Sequence, residues 1–113
     1  MKTIGIGVDI VDNKRIRSLV KNKSFIDRTY SRSEILNSKK ILNKTNYLSK
    51  RFAAKEALAK ALGTGFRNGL NFKDIEVLND KLGKPYYVIS SKIKQLIKKK
   101  IKIKNFDLFL SIS

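Results

Sequence analysis

A chain of 113 residues with 42% apolar content is sized for one domain around one modest core, and no stretch is long and apolar enough to span a membrane. It contains neither cysteine nor histidine, which excludes disulfides, thiolate or imidazole metal sites and histidine-based acid–base catalysis. Any metal must take oxygen ligands, magnesium or calcium before zinc. With 26 Lys+Arg against 9 Asp+Glu the net charge is +17, a field that draws anionic partners. Nucleic acid, an anionic membrane, a phosphate-rich ligand and an acidic protein all qualify, and charge alone does not choose among them. The N-terminus, Met1-Lys2-Thr3-Ile4-Gly5, lacks the apolar core and cleavage site of a signal peptide, so a cytoplasmic location is expected.

Residues 3–10 alternate as a strand does. Ile4, Ile6, Val8 and Ile10 share one face, and Gly5, Gly7 and Asp9 share the other. A glycine face ending in a carboxylate suggests close approach of a neighbouring element or a ligand. Residues 13–21 put Ile16, Leu19 and Val20 at helical spacing, and Ser31 with Glu34 forms a capping box ahead of Ile35 and Leu36. The lysine- and asparagine-rich stretch 37–46 reads as helix end and loop.

The strongest helix is 49–62, closed by Gly63. Ala54, Ala57, Leu58, Ala61 and Leu62 form one apolar stripe, while Phe52, Glu56 and Lys60 form a ridge on the opposite side. Phe52 and Ala59 on or beside that ridge predict a helix packed on both sides, with Glu56 beside a cleft or a subunit contact. Residues 75–78 and 86–89 read as strands joined by the hairpin-like loop 81–85. Residues 91–101 carry Ile93, Leu96, Ile97 and Ile101 on one helical face with lysines between them, and 106–113 alternates again. The order of elements predicts an α+β fold, an antiparallel sheet packed against the 49–62 helix.

Two blocks carry the chemistry: GIGVDIVDNKRI at 5–16 and RFAAKEALAKALGTG at 51–65. The first is a G-x-D strand followed six residues later by an arginine, and the second an F-x-x-K-E-A-x-x-K-A-x-G helix. Together they resemble the two blocks of the holo-acyl-carrier-protein synthases, a family of 4'-phosphopantetheinyl transferases. The segment FIDRTYSRSEI and the pair FKDIEVLND…GKPY are also similar to that family, so the resemblance runs from Ile4 to Ser113. It implies magnesium-dependent transfer of phosphopantetheine from coenzyme A to a serine of an acidic apo-acyl-carrier protein. Adenosine 3',5'-bisphosphate is released, and the product serves fatty acid biosynthesis.

The resemblance implies roles residue by residue. Asp9 and Glu56 hold magnesium on the coenzyme A pyrophosphate, and Lys60, one turn after Glu56, binds phosphate and steadies the transferring group. Arg51 contacts the 3'-phosphate, Lys55 is a further phosphate ligand, Gly63 and Gly65 form the turn that closes on the ligand, and Pro85 lies near the adenine. Arg15 and Arg28 meet the carrier protein. With no histidine to accept the serine proton, Glu56 acting through a water is the natural base. Outside these blocks Asp9 would read as a strand-end turn residue, and Glu56 as a helix pair with Lys60. The family assembles as homotrimers with active sites between subunits, and its members continue past S-x-S with a histidine and a final strand. This chain ends at Ser111-Ile112-Ser113, so residues 1–113 are expected to form a single transferase domain without that strand. The alternatives are a small basic nucleic-acid-binding protein and a catalytically silent remnant. The first explains the charge but neither Asp9 nor the K-E-A-x-x-K-A-x-G helix, and the aromatics do not cluster with basic residues as a stacking platform would need.

Overall fold

The computed structural model describes residues 13–63, 71–101, 106–108 and 110. Three short helices come first: α1 (Asn13–Leu19), α2 (Lys23–Thr29) and α3 (Arg32–Ser38). Each tight junction is closed by a side chain. Asn22 caps α2 by accepting from the Phe25 N–H, and Ser31 caps α3 in a complete capping box with Glu34. The long helix α4 runs Lys44–Leu62 and ends at Gly63, whose φ of 74° is the left-handed conformation that glycine adopts without steric penalty.

Helix α4 thus begins five residues before the expected Ser49, inside the stretch predicted as loop. Asn43 accepts from the Asn46 N–H at 3.0 Å and starts the helix, and Leu48 then falls in the core. Polar composition hid the start, because the cap is itself a polar residue.

The core has two parts, and α4 runs through both. Its N-terminal half sends Leu48 and Phe52 into a cluster with Ile16, Phe25 and Tyr30 from the short helices and their junctions. Its C-terminal half packs Leu58 and Ala59 against Ile75, Ile93 and Ile97. The predicted two-sided packing follows directly. Phe52 and Ala59 are as buried as Ala54 and Leu58, so the helix has no single apolar face.

A 3-10 turn at Phe72–Asp74 leads into β1 (Ile75–Asn79), which pairs antiparallel with β2 (Pro85–Ile89) in the register Ile75↔Ile89 to Asn79↔Pro85. The connecting loop is held by Asp80, whose Oδ1 accepts from the N–H groups of Leu82 and Lys84, with Gly83 at φ +85°. Helix α5 (Ser91–Ile101) lays Ile93 and Ile97 on the core and leaves Lys92, Lys94, Lys98 and Lys99 outward, as its spacing predicts. The fold is α+β with the hairpin packed against α4. Only part of the alternating 106–113 segment lies within the described residues. Its described residues, 106–108 and 110, lie outside regular structure, with Phe106 and Leu108 packed against the Leu58 cluster. The predicted 3–10 strand lies outside the described residues.

Candidate active site

Helix α4 carries four of the predicted site residues, Arg51, Lys55, Glu56 and Lys60. Glu56 is half-buried and Lys60 is exposed one turn later on the same ridge. A partly buried carboxylate beside a cation fits a divalent metal held by one or two carboxylates, with water and phosphate oxygens completing the sphere. Asp9, its expected partner, and Gly65 lie outside the described residues. Gly63 is the C-cap of the helix, donating its N–H to the Lys60 carbonyl at 2.9 Å.

Arg51 is only 4% exposed, with its guanidinium 3.6 Å from the centroid of Tyr47. One Nη2 hydrogen bond goes to Asn79 Oδ1. The Arg51 Nε is buried and has no hydrogen-bond partner among the described residues. Asn79 is the register partner of Pro85 and donates from Nδ2 to Gly83 O at 2.9 Å. Asn79 therefore joins Arg51 and Pro85, two predicted ligand contacts 34 positions apart in sequence, at one end of the hairpin. Sequence reasoning missed Asn79 and Tyr47. The antiparallel register would have pointed to Asn79, and the i, i+4 spacing to Tyr47.

Lys55 corrects the expectation of a phosphate ligand. Its side chain is 0% exposed, with Nζ 2.8 Å from Glu34 Oε1. It also donates to Phe72 O at 2.9 Å and to Ile75 O. An ammonium has three protons, and these three acceptors take them all. Burial pushes the Lys55 pKa below the usual lysine value, against the opposing pull of Glu34. Glu34, read from the sequence only as a capping residue, is thus the counter-ion of the interior. Its Oε1 accepts the Ser31 N–H at 2.9 Å, and its Oε2 accepts the Val77 N–H at 3.0 Å. Nearby, buried Tyr30 donates to Leu48 O at 2.9 Å, and burial raises its pKa well above the usual phenol.

The two predicted docking arginines stand over one aromatic pair. Arg15 lies 5.9 Å from the Phe52 ring centroid and Arg28 lies 5.7 Å from that of Phe25. Those rings meet edge-to-face with centroids 6.0 Å apart. Since Phe52 precedes Glu56 by one turn of α4, the basic patch adjoins the ridge that carries Glu56 and Lys60.

Comparison with known proteins identifies the family. The 4'-phosphopantetheinyl transferase superfamily profile matches residues 5–108. A holo-[acyl-carrier-protein] synthase of Pelagibacter ubique (strain HTCC1062) is 63% identical over 113 residues, covering all of this chain and 88% of the relative. The crystal structure of the Neisseria meningitidis synthase matches with a TM-score of 0.80 at 40% identity, over 88% of this chain and 81% of that one. The Helicobacter pylori synthase, solved in complex with coenzyme A, matches with a TM-score of 0.73 at 34% identity, over 82% and 80% of the two chains. The chain therefore belongs to the 4'-phosphopantetheinyl transferase superfamily, within its holo-[acyl-carrier-protein] synthases.

Proposed function

We propose that this chain transfers the 4'-phosphopantetheine group of coenzyme A to a serine of an apo-acyl-carrier protein, with magnesium as cofactor held by Asp9 and Glu56. The observation that carries the reading is the Glu56–Lys60 ridge of α4 in a chain of this family. The coenzyme A bound in the Helicobacter pylori relative supports the donor.

In the reaction, the serine Oγ attacks the pantetheine-bearing phosphorus of the pyrophosphate. The anhydride bond breaks and adenosine 3',5'-bisphosphate leaves. Such a transfer needs positioning and neutralised phosphate charge more than covalent help from the protein. Lys60 faces the phosphates from the same ridge as Glu56, and Glu56 takes the serine proton through a water. Magnesium held by the two carboxylates would neutralise the pyrophosphate and orient it. Arg51, whose Nε has no partner among the described residues, grips the 3'-phosphate; Pro85 and Gly65 border the ligand. Lys55 drops out of the phosphate set, because its protons are spent in the interior.

Arg15 and Arg28 receive the acidic carrier protein on the face next to Glu56. Tyr86 and Val88, exposed on the outer face of β2, are apolar surface that a subunit contact would cover, as the homotrimer implied by the family resemblance would need. No helix among the described residues is long and apolar enough to cross a membrane; the cytoplasmic location and the role in fatty acid synthesis follow from the family resemblance. The nucleic-acid alternative loses ground, since Phe25 and Phe52 are buried and offer no stacking platform.

The test is incubation of labelled coenzyme A with an apo-acyl-carrier protein and the chain, with magnesium and with a chelator. Label should reach the carrier protein only with magnesium. Label transfer unaffected by the chelator would remove the metal from the account, and no transfer in either condition would remove the activity.

A further inference from the structure

The ion pair between Lys55 and Glu34 is a poor choice for stability alone. Taking two charges out of water carries a desolvation penalty that their attraction does not reliably recover, and apolar pairs of similar volume often serve as well or better. What the pair adds is direction. Lys55 of α4 reaches Glu34 of α3, the Phe72 carbonyl of the 3-10 turn and the Ile75 carbonyl of β1. Glu34 in turn holds the N–H groups of Ser31 and Val77. Every proton and both carboxylate oxygens are used, and four segments meet at one nitrogen and one carboxylate.

Helix α4 is buried over a broad arc: Leu48 and Phe52 enter one cluster, Leu58 and Ala59 the next along its length, and Lys55, between them on the same buried side, is its polar tie to α3, the 3-10 turn and β1. The next residue after Lys55 is Glu56, and Lys60 follows one turn later. A side-chain end about 6 Å from a helix axis moves about 1 Å for each 10° of rotation. A misplacement of about 1 Å at reacting groups can lower a rate about 100-fold.

We propose that Lys55, acting through Glu34 and the two carbonyls, is a positioning residue for phosphopantetheine transfer. It sets the rotation of α4 and so the direction in which Glu56 and Lys60 face the pyrophosphate. The inference rests on the function proposed above.

Three variants test it. Lys55→Met leaves Glu34 as a lone buried carboxylate and is expected to fold poorly. Lys55→Met/Glu34→Gln removes both charges while keeping an acceptor for a backbone N–H. Lys55→Arg keeps the charge but spreads its donors over a planar fork instead of one nitrogen. Circular dichroism and thermal unfolding establish which variants are folded, and kcat and the two KM values are then measured well below their transitions.

The double variant should regain most of the stability lost in Lys55→Met, yet turn over about 100-fold more slowly than the parent. The deficit should lie in kcat at saturating coenzyme A, with KM for the carrier protein unchanged. Lys55→Arg should fold and lose at least about tenfold in kcat. If the pair serves stability alone, activity will return together with stability, and parental kcat in the double variant overturns the proposal. Should the double variant not fold, Lys55→Arg decides: parental kcat there overturns it equally. A parent chain that transfers nothing would defeat the functional reading and this inference together, whereas an active parent with fully active variants defeats this inference alone.

Discussion

Truncation of Phe52 to alanine probes the two-sided packing of α4, on which the placement of Glu56 and Arg15 depends. The ring is 6% exposed and lies between those of Phe25 and Phe72, at centroid distances of 6.0 and 5.2 Å. Phe→Ala at a buried site costs about 3–5 kcal/mol, through lost transfer free energy and the cavity left behind. Against a typical domain stability of about 5–15 kcal/mol, that is a large share. With a urea m-value of about 2 kcal/mol/M, the unfolding midpoint should fall by about 1.5–2.5 M. Leu58→Ala, on the other side of the same helix and equally buried, should cost about 2–5 kcal/mol. Leu42→Ala, at a fully exposed position, should stay within about 0.5 kcal/mol of the parent. Urea titrations of the three variants by circular dichroism make the comparison. A Phe52→Ala midpoint close to that of Leu42→Ala, with Leu58→Ala strongly shifted, would mean that only one side of α4 is packed, and would refute the reasoning.

Tyr87 donates its hydroxyl to the Ala54 carbonyl at 2.6 Å, and burial pushes its pKa up to about 12. Ultraviolet titration should show a phenol still protonated at pH 11, and its contribution to stability should be full below about pH 10 and lost as pH rises through about 12. A chain in which every tyrosine ionises near pH 10 while still folded would contradict that burial. Arg15→Glu and Arg28→Glu should each raise the carrier-protein KM several-fold and change kcat much less, and added salt should slow association of the parent; parental KM values in both variants would move the docking face elsewhere. Arg51→Ala should weaken coenzyme A binding more than binding of dephospho-coenzyme A, as measured by calorimetry. Equal losses for the two ligands would remove the 3'-phosphate role.

Local signals in the sequence were legible where one residue type does one job. The Ser31–Glu34 box, the Gly63 stop, the 75–89 hairpin and the inward face of α5 all rest on spacing within a few residues, and all are found in the structure. The start of α4 was not legible, because Asn43 and Lys44 read as loop by composition while acting as cap and first turn. Lys55 was misread for a different reason. A lysine in a phosphate-binding block is usually solvated or ligand-facing, and what overrides this is Glu34, 21 residues earlier, delivered by α3. Only the tertiary fold brings them together. Likewise Arg51 and Pro85 meet through Asn79, whose role depends on strand register. The family resemblance suggested what spacing could not, namely which carboxylates and cations to propose for the chemistry.

The most direct measurement is the mass of an apo-acyl-carrier protein after incubation with coenzyme A, magnesium and the chain. The carrier protein should gain the mass of one 4'-phosphopantetheine group, with one adenosine 3',5'-bisphosphate released per molecule modified. A carrier protein whose acceptor serine is replaced by alanine should gain nothing, and neither should the parent carrier protein treated with folded Glu56→Ala. An unchanged carrier-protein mass with the folded parent chain, or full modification by Glu56→Ala, would contradict the account.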